Sequence, residues 1–314
     1  MFRKGRALQP EDIARLRELG RRTVYVAELE ADDVDEDTAA RRVAERLYGE
    51  HFRLSGPSTG RANIYTTERG IMRVDTQRLM RINECDGITL ATLRNNTAVS
   101  ADKIAATLKI LPYAVPLTVV TAAETIAAGD DPLLRIDLLR ARRVSLILSG
   151  SPSARERIVP SFESALAERL KALGATIATV DFVSLDEEQD EANLAEVIRR
   201  RVREGAQLVI LAGETAIMDR HDIAPRAVER AGGTVIAFGA PVDPGNLLML
   251  AELDDVPVMG APGCARSPKD NIVDLVLPRL LVGDRLTKRD ITALAHGGLL
   301  EDVPERPSPR SRLS

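Results

Sequence analysis

Tryptophan is absent from this chain, and aromatic residues as a whole reach only 3%. A platform that stacks nucleobases needs aromatic faces, so single-stranded nucleic acid is not an expected ligand. The charge agrees: 43 Lys and Arg face 47 Asp and Glu, a net −4, where a nucleic-acid footprint is basic. The local basic runs Arg199-Arg200-Arg201 and Arg140-Ala141-Arg142-Arg143 read as a solvated helix face and the approach to a strand. The two cysteines, Cys85 and Cys264, form no CxxC pair, and with three scattered histidines they exclude a Cys/His zinc site by spacing. No apolar run approaches the roughly 18 residues of a membrane helix, and Met1-Phe2-Arg3-Lys4-Gly5 has no apolar stretch behind its charges. A cytoplasmic location without membrane association is therefore expected.

What is present is enough chain for two domains, since 314 residues exceed one average core. Residues 1–112 carry short mixed elements and predict a small α+β domain. Pro10-Glu11-Asp12 opens an amphipathic helix through Ile13, Leu16 and Leu19, closed by Gly20, and Thr23-Val24-Tyr25-Val26 reads as a strand. The acidic cluster from Asp32 to Asp37 is better explained as a helix cap and acidic first turn than as a metal site. The loop Ser55-Gly56-Pro57-Ser58-Thr59-Gly60-Arg61 lacks the Lys-Ser/Thr of a P-loop, and a plain turn is favoured over an anion site. Residues 113–142, with the turn Gly129-Asp130-Asp131-Pro132, are expected to be a connection.

From Arg143 the pattern becomes a regular β-α alternation that extends to about residue 285. Strands are predicted over 144–148, 176–180, 208–211 and 234–238, with helices between them. Asp254-Asp255 marks a hairpin, and a last helix is predicted over 268–281. Strands separated by helices imply an α/β fold with a parallel sheet covered on both faces. Residues 286–314 are expected to be a tail, disordered from Val303 onward.

In such a sheet ligands sit beyond the carboxyl ends of the strands. The loops there are built from small residues: Ser149-Gly150-Ser151, Ala212-Gly213-Glu214-Thr215, Pro244-Gly245-Asn246 and Pro262-Gly263-Cys264-Ala265-Arg266-Ser267. Such loops let backbone N–H groups approach an anion. One glycine in the first turn is too few for a dinucleotide fingerprint, and neither GxSxG nor HExxH occurs. Asp222, before a helix with Pro225 in its first turn, is either an N-cap or a carboxylate aimed at a metal or phosphate; Glu214 and Asp219 share its loop.

The order of these loops resembles the molybdopterin-binding domain of molybdenum-cofactor biosynthesis proteins of the MoaB/Mog and MoeA type. Ala212-Gly213-Glu214-Thr215 stands at that family's Gly-Gly-Thr turn, and Arg220-His221-Asp222-Ile223-Ala224-Pro225 at its Arg-Asp-Val-Thr-Pro stretch. Asp243-Pro244-Gly245-Asn246 and Ala261-Pro262-Gly263-Cys264-Ala265 stand at its two later Pro-Gly loops. Lys4-Gly5-Arg6, Glu11-Asp12-Ile13 and residues 105–112 look like the larger MoeA-related proteins. The resemblance implies a three-layer, parallel-sheet MoaB/Mog-like domain over residues 143–285, after a MoeA-related domain with a partner or oligomerisation role. It implies molybdopterin held by Gly150, Gly213, Glu214, Thr215, Pro244, Gly245, Asn246, Pro262, Gly263 and Ser267. Asp222 would serve catalysis and help hold Mg²⁺ or molybdate, with ATP as a further ligand the resemblance allows. Implied activities are molybdopterin molybdotransferase or adenylyltransferase; implied partners are a molybdenum hydroxylase, other cofactor-biosynthesis proteins and further copies of the chain. Departures from the family pattern, with Glu214 in the Gly-Gly-Thr turn and Asn246 in place of its Lys, keep two alternatives open. These are a non-catalytic cofactor carrier and a competence-damage-like pyridine nucleotide hydrolase.

Overall fold

Val144-Ser145-Leu146-Ile147-Leu148 is apolar on both faces of an extended chain, as a strand covered on both sides must be. In the computed structural model it forms β1 (Arg143–Gly150), with all five of these residues buried. The structure describes residues 8–140, 142–185, 190–214 and 217–300. It divides into two compact units, Met1–Leu138 and Leu139–Ser314.

In the second unit β1 leads through a short 3₁₀ turn into α1 (Arg155–Ala172). Then follow β2 (Thr176–Ser184), α2 (Asp190–Arg203), β3 (Leu208–Gly213), α3 (Ile223–Arg230) and β4 (Thr234–Phe238). The hairpin β5 (Met249–Leu253) and β6 (Val256–Gly260) precedes α4 (Ile272–Val282) and α5 (Lys288–Thr292). The six strands form one sheet in the order β2-β1-β3-β6-β5-β4. It is a mixed α/β sheet and largely parallel: only β5 runs against the rest, antiparallel to both its neighbours. Phe162, Leu166 and Leu170 of α1 pack with Ile272 and Val276 of α4 on Leu146 and Leu148, one face of the sheet. Leu194 and Ile198 of α2 pack with Ala227 and Val228 of α3 on Ile147 and Val209, the other face. The Asp254-Asp255 turn has φ of +49° and +62°, both positive as a type I′ hairpin demands.

Two expectations are corrected in this unit. The last helix starts at Ile272 rather than at 268, because Asn271 caps it and Asp274 closes the capping box. The chain beyond 285 is not a tail from its first residue: Leu286 and Ile291 are buried in the core, and α5 is capped by Thr287. The disorder expected from Val303 falls outside the described residues.

The first unit is α+β. Phe52–Leu54, Arg61–Thr66, Ile104–Ile110 and Ile88–Thr92 form a four-stranded antiparallel sheet in that order. Ala98–Val99, Gly70–Val74 and Leu134–Leu138 form a three-stranded one. Asp35 accepts hydrogen bonds from the Asp37 and Thr38 amides at the start of the helix Glu36–Ala44, so the acidic cluster serves as a cap. In the turn at Ser58–Arg61 the Gly60 amide donates to Asp37 Oδ1 at 2.7 Å, which leaves that amide no anion to bind.

Of the connection expected over 113–142, residues 113–138 are instead part of this unit, and Leu139 belongs to the core of the second unit. Ala114–Pro116 is a strand, Leu117–Ala127 a helix burying Val120, Ala123 and Ala127, and Leu134–Leu138 pairs with Gly70–Val74. Its apolar residues recur at helical spacing, and they outweigh the single turn signal inside it. The strand expected over 23–26 forms no strand, and its residues are exposed.

Candidate functional site

The path of the chain through the sheet decides where a site forms. From β1 it crosses to β2 on one side, then returns past β1 to β3 on the other, so the direction of winding reverses between β1 and β3. Loops that leave neighbouring strand ends in opposite directions open a crevice there. A cleft of about 340 Å³ lies at this point. Ser149 and Gly213, paired across β1 and β3, form its floor, and Leu194, Ile217, Met218 and Asp222 are among its walls.

Asp222 is the N-cap residue of α3 by backbone conformation, yet its side chain makes no cap hydrogen bond. Its Oδ2 accepts from the amides of Met218 (2.7 Å) and Asp219 (2.9 Å) and so closes the loop ahead of the helix. The carboxylate thereby stands on the cleft wall among apolar groups, held by main-chain donors.

The other candidates are distributed as follows. Among the described residues only Gly213 and Asp222 of the candidate set line the cleft. Thr215 lies outside the described residues. Gly150 and Glu214 form a second cluster. Glu214 Oε2 accepts from the Ser151 amide (2.9 Å) and the Ser151 hydroxyl (2.7 Å), and Oε1 from Arg157 (3.2 Å). A carboxylate thus occupies the first strand-end turn, where the resemblance implies an anionic ligand. A β-carbon on Gly150 would stand 2.8 Å from that of Glu214, so the close approach this glycine permits is to Glu214.

The later loops are engaged inside the unit in the same way. Gly245 (φ +137°) packs against the start of α4, where Ile272 donates its amide to the Pro244 carbonyl at 3.1 Å; Asn246 is exposed. Pro262 is the N-cap of a 3₁₀ turn over Gly263–Arg266, reached directly from β6, where the Ala261 amide donates to the Leu211 carbonyl at 2.7 Å. Ser267 Oγ accepts from the Lys269 amide. Gly263 differs from the other candidate glycines: a β-carbon there would meet only the tip of Arg266, at 3.9 Å.

Three residues that the sequence did not single out organise this loop. Arg169, on α1, donates to Asp274 and to the carbonyls of Ala265, Ser267 and Lys269. Asn271, 1% exposed, donates to the carbonyls of Cys264 and Lys269. The Asn271-x-x-Asp274 pair is legible as a capping signature; no local pattern announces a partner for Arg169, which lies about a hundred residues away in sequence.

Glu214 supports a pH prediction. Its carboxyl is held below the ordinary glutamate value of 4.5, first by the Ser151 amide, then by the Ser151 hydroxyl and by Arg157. A depressed carboxyl stabilises the fold fully above its unfolded value and loses that contribution as pH falls through the folded value. The Ser151 amide is therefore expected to keep a constant exchange protection factor above pH 4.5 and to lose it on further acidification. In Glu214→Ala the amide should be unprotected throughout. Amide exchange by NMR reads both, and equal protection in the two proteins would remove Glu214 from this role.

Fold and cleft define an α/β protein with a ligand-sized crevice at the reversal point of its sheet. A family model described as a domain of unknown function (DUF8806) matches residues 1–28. No curated protein matches the chain. Among solved structures, the molybdopterin biosynthesis MoeA protein from Pyrococcus horikosii is similar at 14% identity and TM-score 0.34, over 82% of this chain and 81% of that one. A molybdenum cofactor biosynthesis protein B is similar at 16% identity and TM-score 0.32, over 45% of this chain and 94% of that one. Likenesses at this level carry no argument about activity. Among the described residues no helix is long and apolar enough to cross a membrane.

Proposed function

We propose that the second unit binds molybdopterin, in the biosynthesis or delivery of the molybdenum cofactor. The supporting observation is the cleft at the β1/β3 reversal, which brings Gly213 and Asp222 together. The ordered set of loops that resembles the MoaB/Mog domain supplies the identity of the ligand. The apolar walls suit a flat pterin ring, and the small residues Ser149 and Gly213 in the cleft suit its phosphate.

The donor set limits the accompanying metal. Asp222 is a single carboxylate, and among the described residues no group of three or more His, Cys, Asp or Glu side chains is placed to hold an ion. A magnesium held by Asp222 together with ligand phosphate oxygens fits these residues; one held by protein groups alone does not. ATP and molybdate enter this reading as substrates.

Between insertion of molybdate and simple carriage, one observation favours carriage. Glu214 fills the first strand-end turn with a carboxylate, so a second anion there would meet like charge. The carrier would hand its cargo to a molybdenum hydroxylase or another cofactor-biosynthesis protein.

Calorimetry with purified molybdopterin, with and without ATP, Mg²⁺ and molybdate, followed by analysis of the products, tests the proposal. Asp222→Ala is expected to weaken binding by roughly tenfold or more, the worth of one charged hydrogen-bonding group. Unchanged affinity would remove Asp222 from the site, and no binding by the unaltered protein would end the molybdopterin reading. An adenylylated or metallated product would replace the carrier with an enzyme.

A further inference from the structure

The strand expected at Thr23-Val24-Tyr25-Val26 is the one strand-like motif left without a partner in the described structure. Every residue from Leu19 to Asp32 is exposed: Tyr25 at 97%, Val26 at 66% and Val24 at 43%. The helix just before it, Pro10–Glu18, exposes Ile13 at 53% and is followed by Leu19 at 64%. β-branched and aromatic residues in alternation gain little from standing in water, but they fit a pleated, half-covered surface.

The residues around Tyr25 are arranged self-complementarily. In the order Arg22, Thr23, Val24, Tyr25, Val26, Ala27, Glu28, each position finds a suitable counterpart at equal distance beyond Tyr25. Two copies laid antiparallel about Tyr25 set Arg22 opposite Glu28, Val24 opposite Val26 and Thr23 opposite Ala27. Directly opposed residues share a face of the ribbon, so both ion pairs and both valine pairs fall on one side. A register shifted by two residues puts a valine opposite a carboxylate or an arginine. Among the described residues neither Arg22 nor Glu28 has an ion-pair partner within its own chain.

We infer that residues 22–28 form an interface with a second copy of this chain, an antiparallel two-stranded ribbon centred on Tyr25. A bare two-stranded ribbon is marginal in water. Here each strand is joined through Gly20 (φ +72°) to an amphipathic helix, and the exposed Ile13 and Leu19 of the two helices supply apolar cover. The pairing is isologous, so the same segment of both copies is used and the contact closes as a dimer.

Charge reversal of the full chain tests this by sedimentation velocity over a concentration series. The unaltered protein is expected to dimerise reversibly. Arg22→Glu alone and Glu28→Arg alone should each weaken the dimer by roughly tenfold or more, since two attractive pairs become two repulsive ones. An equimolar mixture of the two single variants should regain the original affinity, because each then supplies the charge the other lacks. The double variant Arg22→Glu/Glu28→Arg should regain it by itself. A monomeric unaltered chain, single variants that dimerise normally, or a mixture no tighter than its components would each overturn the inference. Recovery in the mixture also excludes misfolding as the cause of the single-variant losses.

Discussion

Arg169→Ala is expected to lower the stability of the second unit by about 3–5 kcal/mol, in the range of a broken buried ion pair. The Arg169 side chain is only 11% exposed and its guanidinium is fully engaged. Nε reaches Asp274 Oδ1 at 2.8 Å, Nη1 the Ala265 carbonyl at 3.1 Å, and Nη2 the carbonyls of Ser267 (2.7 Å) and Lys269 (3.1 Å). Truncation deprives the Ala265 and Ser267 carbonyls of this donor and Asp274 of its cation, while the exposed Lys269 carbonyl keeps Asn271 as a donor; each buried group left unsatisfied costs about 1–3 kcal/mol. Asp274 retains some water, which places the effect toward the lower end of the range. Arg169→Lys should recover little, because a single ammonium cannot span a fork of four acceptors. Urea denaturation measures the loss, and a change under about 1 kcal/mol would mean that the loop holds itself, since surface contacts are worth that much. The same variant also locates the ligand. If Arg169→Ala abolished molybdopterin binding while Asp222→Ala did not, the ligand would sit against the Gly263–Ser267 loop and not in the β1/β3 cleft.

Gly245→Val is expected to cost about 2–5 kcal/mol, from backbone strain and overpacking together. At φ +137° the backbone occupies a region that side chains with a β-carbon rarely adopt. A β-carbon would also come within about van der Waals overlap of Ile272 and 3.1 Å from its backbone amide, at the first turn of α4. The two causes separate in a double variant. Ile272→Ala removes the Cγ2 overlap but leaves the Cβ contact and the φ penalty, so Gly245→Ala with Ile272→Ala should fall partly short of additivity. Full additivity of the two changes would show that the side chains do not meet.

Much of the second unit was legible because its signals are local. Val144-Ser145-Leu146-Ile147-Leu148 and Leu208-Val209-Ile210-Leu211 read as buried strands from composition alone, and both are buried. Asp254-Asp255 reads as a hairpin turn because few residues other than Gly, Asn and Asp tolerate positive φ twice in succession. The acidic start at Asp35 reads as a cap for a similar reason: the acceptor and its amide donors lie within three residues. Residues 113–142 misled because a turn signal such as Gly129-Asp130-Asp131-Pro132 marks where a chain bends, not whether the bend lies inside a core.

The candidate site was legible only as a set of small-residue loops at strand ends, and tertiary structure divides that set. Sequence shows that Gly150, Gly213, Gly245 and Gly263 lack side chains, but not what fills the space. At Gly150 it is Glu214, at Gly213 it is Ser149, at Gly245 it is Ile272, and only Gly263 faces open room. Asp222 could be placed at a helix start, yet its hydrogen bonds to the loop before the helix depend on how that loop folds back. The sequence by itself determined most elements of the second unit and their β-α alternation, since each of these depends on contacts within a few residues. Only the tertiary structure decided the strand order that opens the cleft between β1 and β3, the remote partners of Arg169 and the isolation of residues 22–28. Those depend on residues tens to a hundred positions apart meeting in space, which no local pattern records.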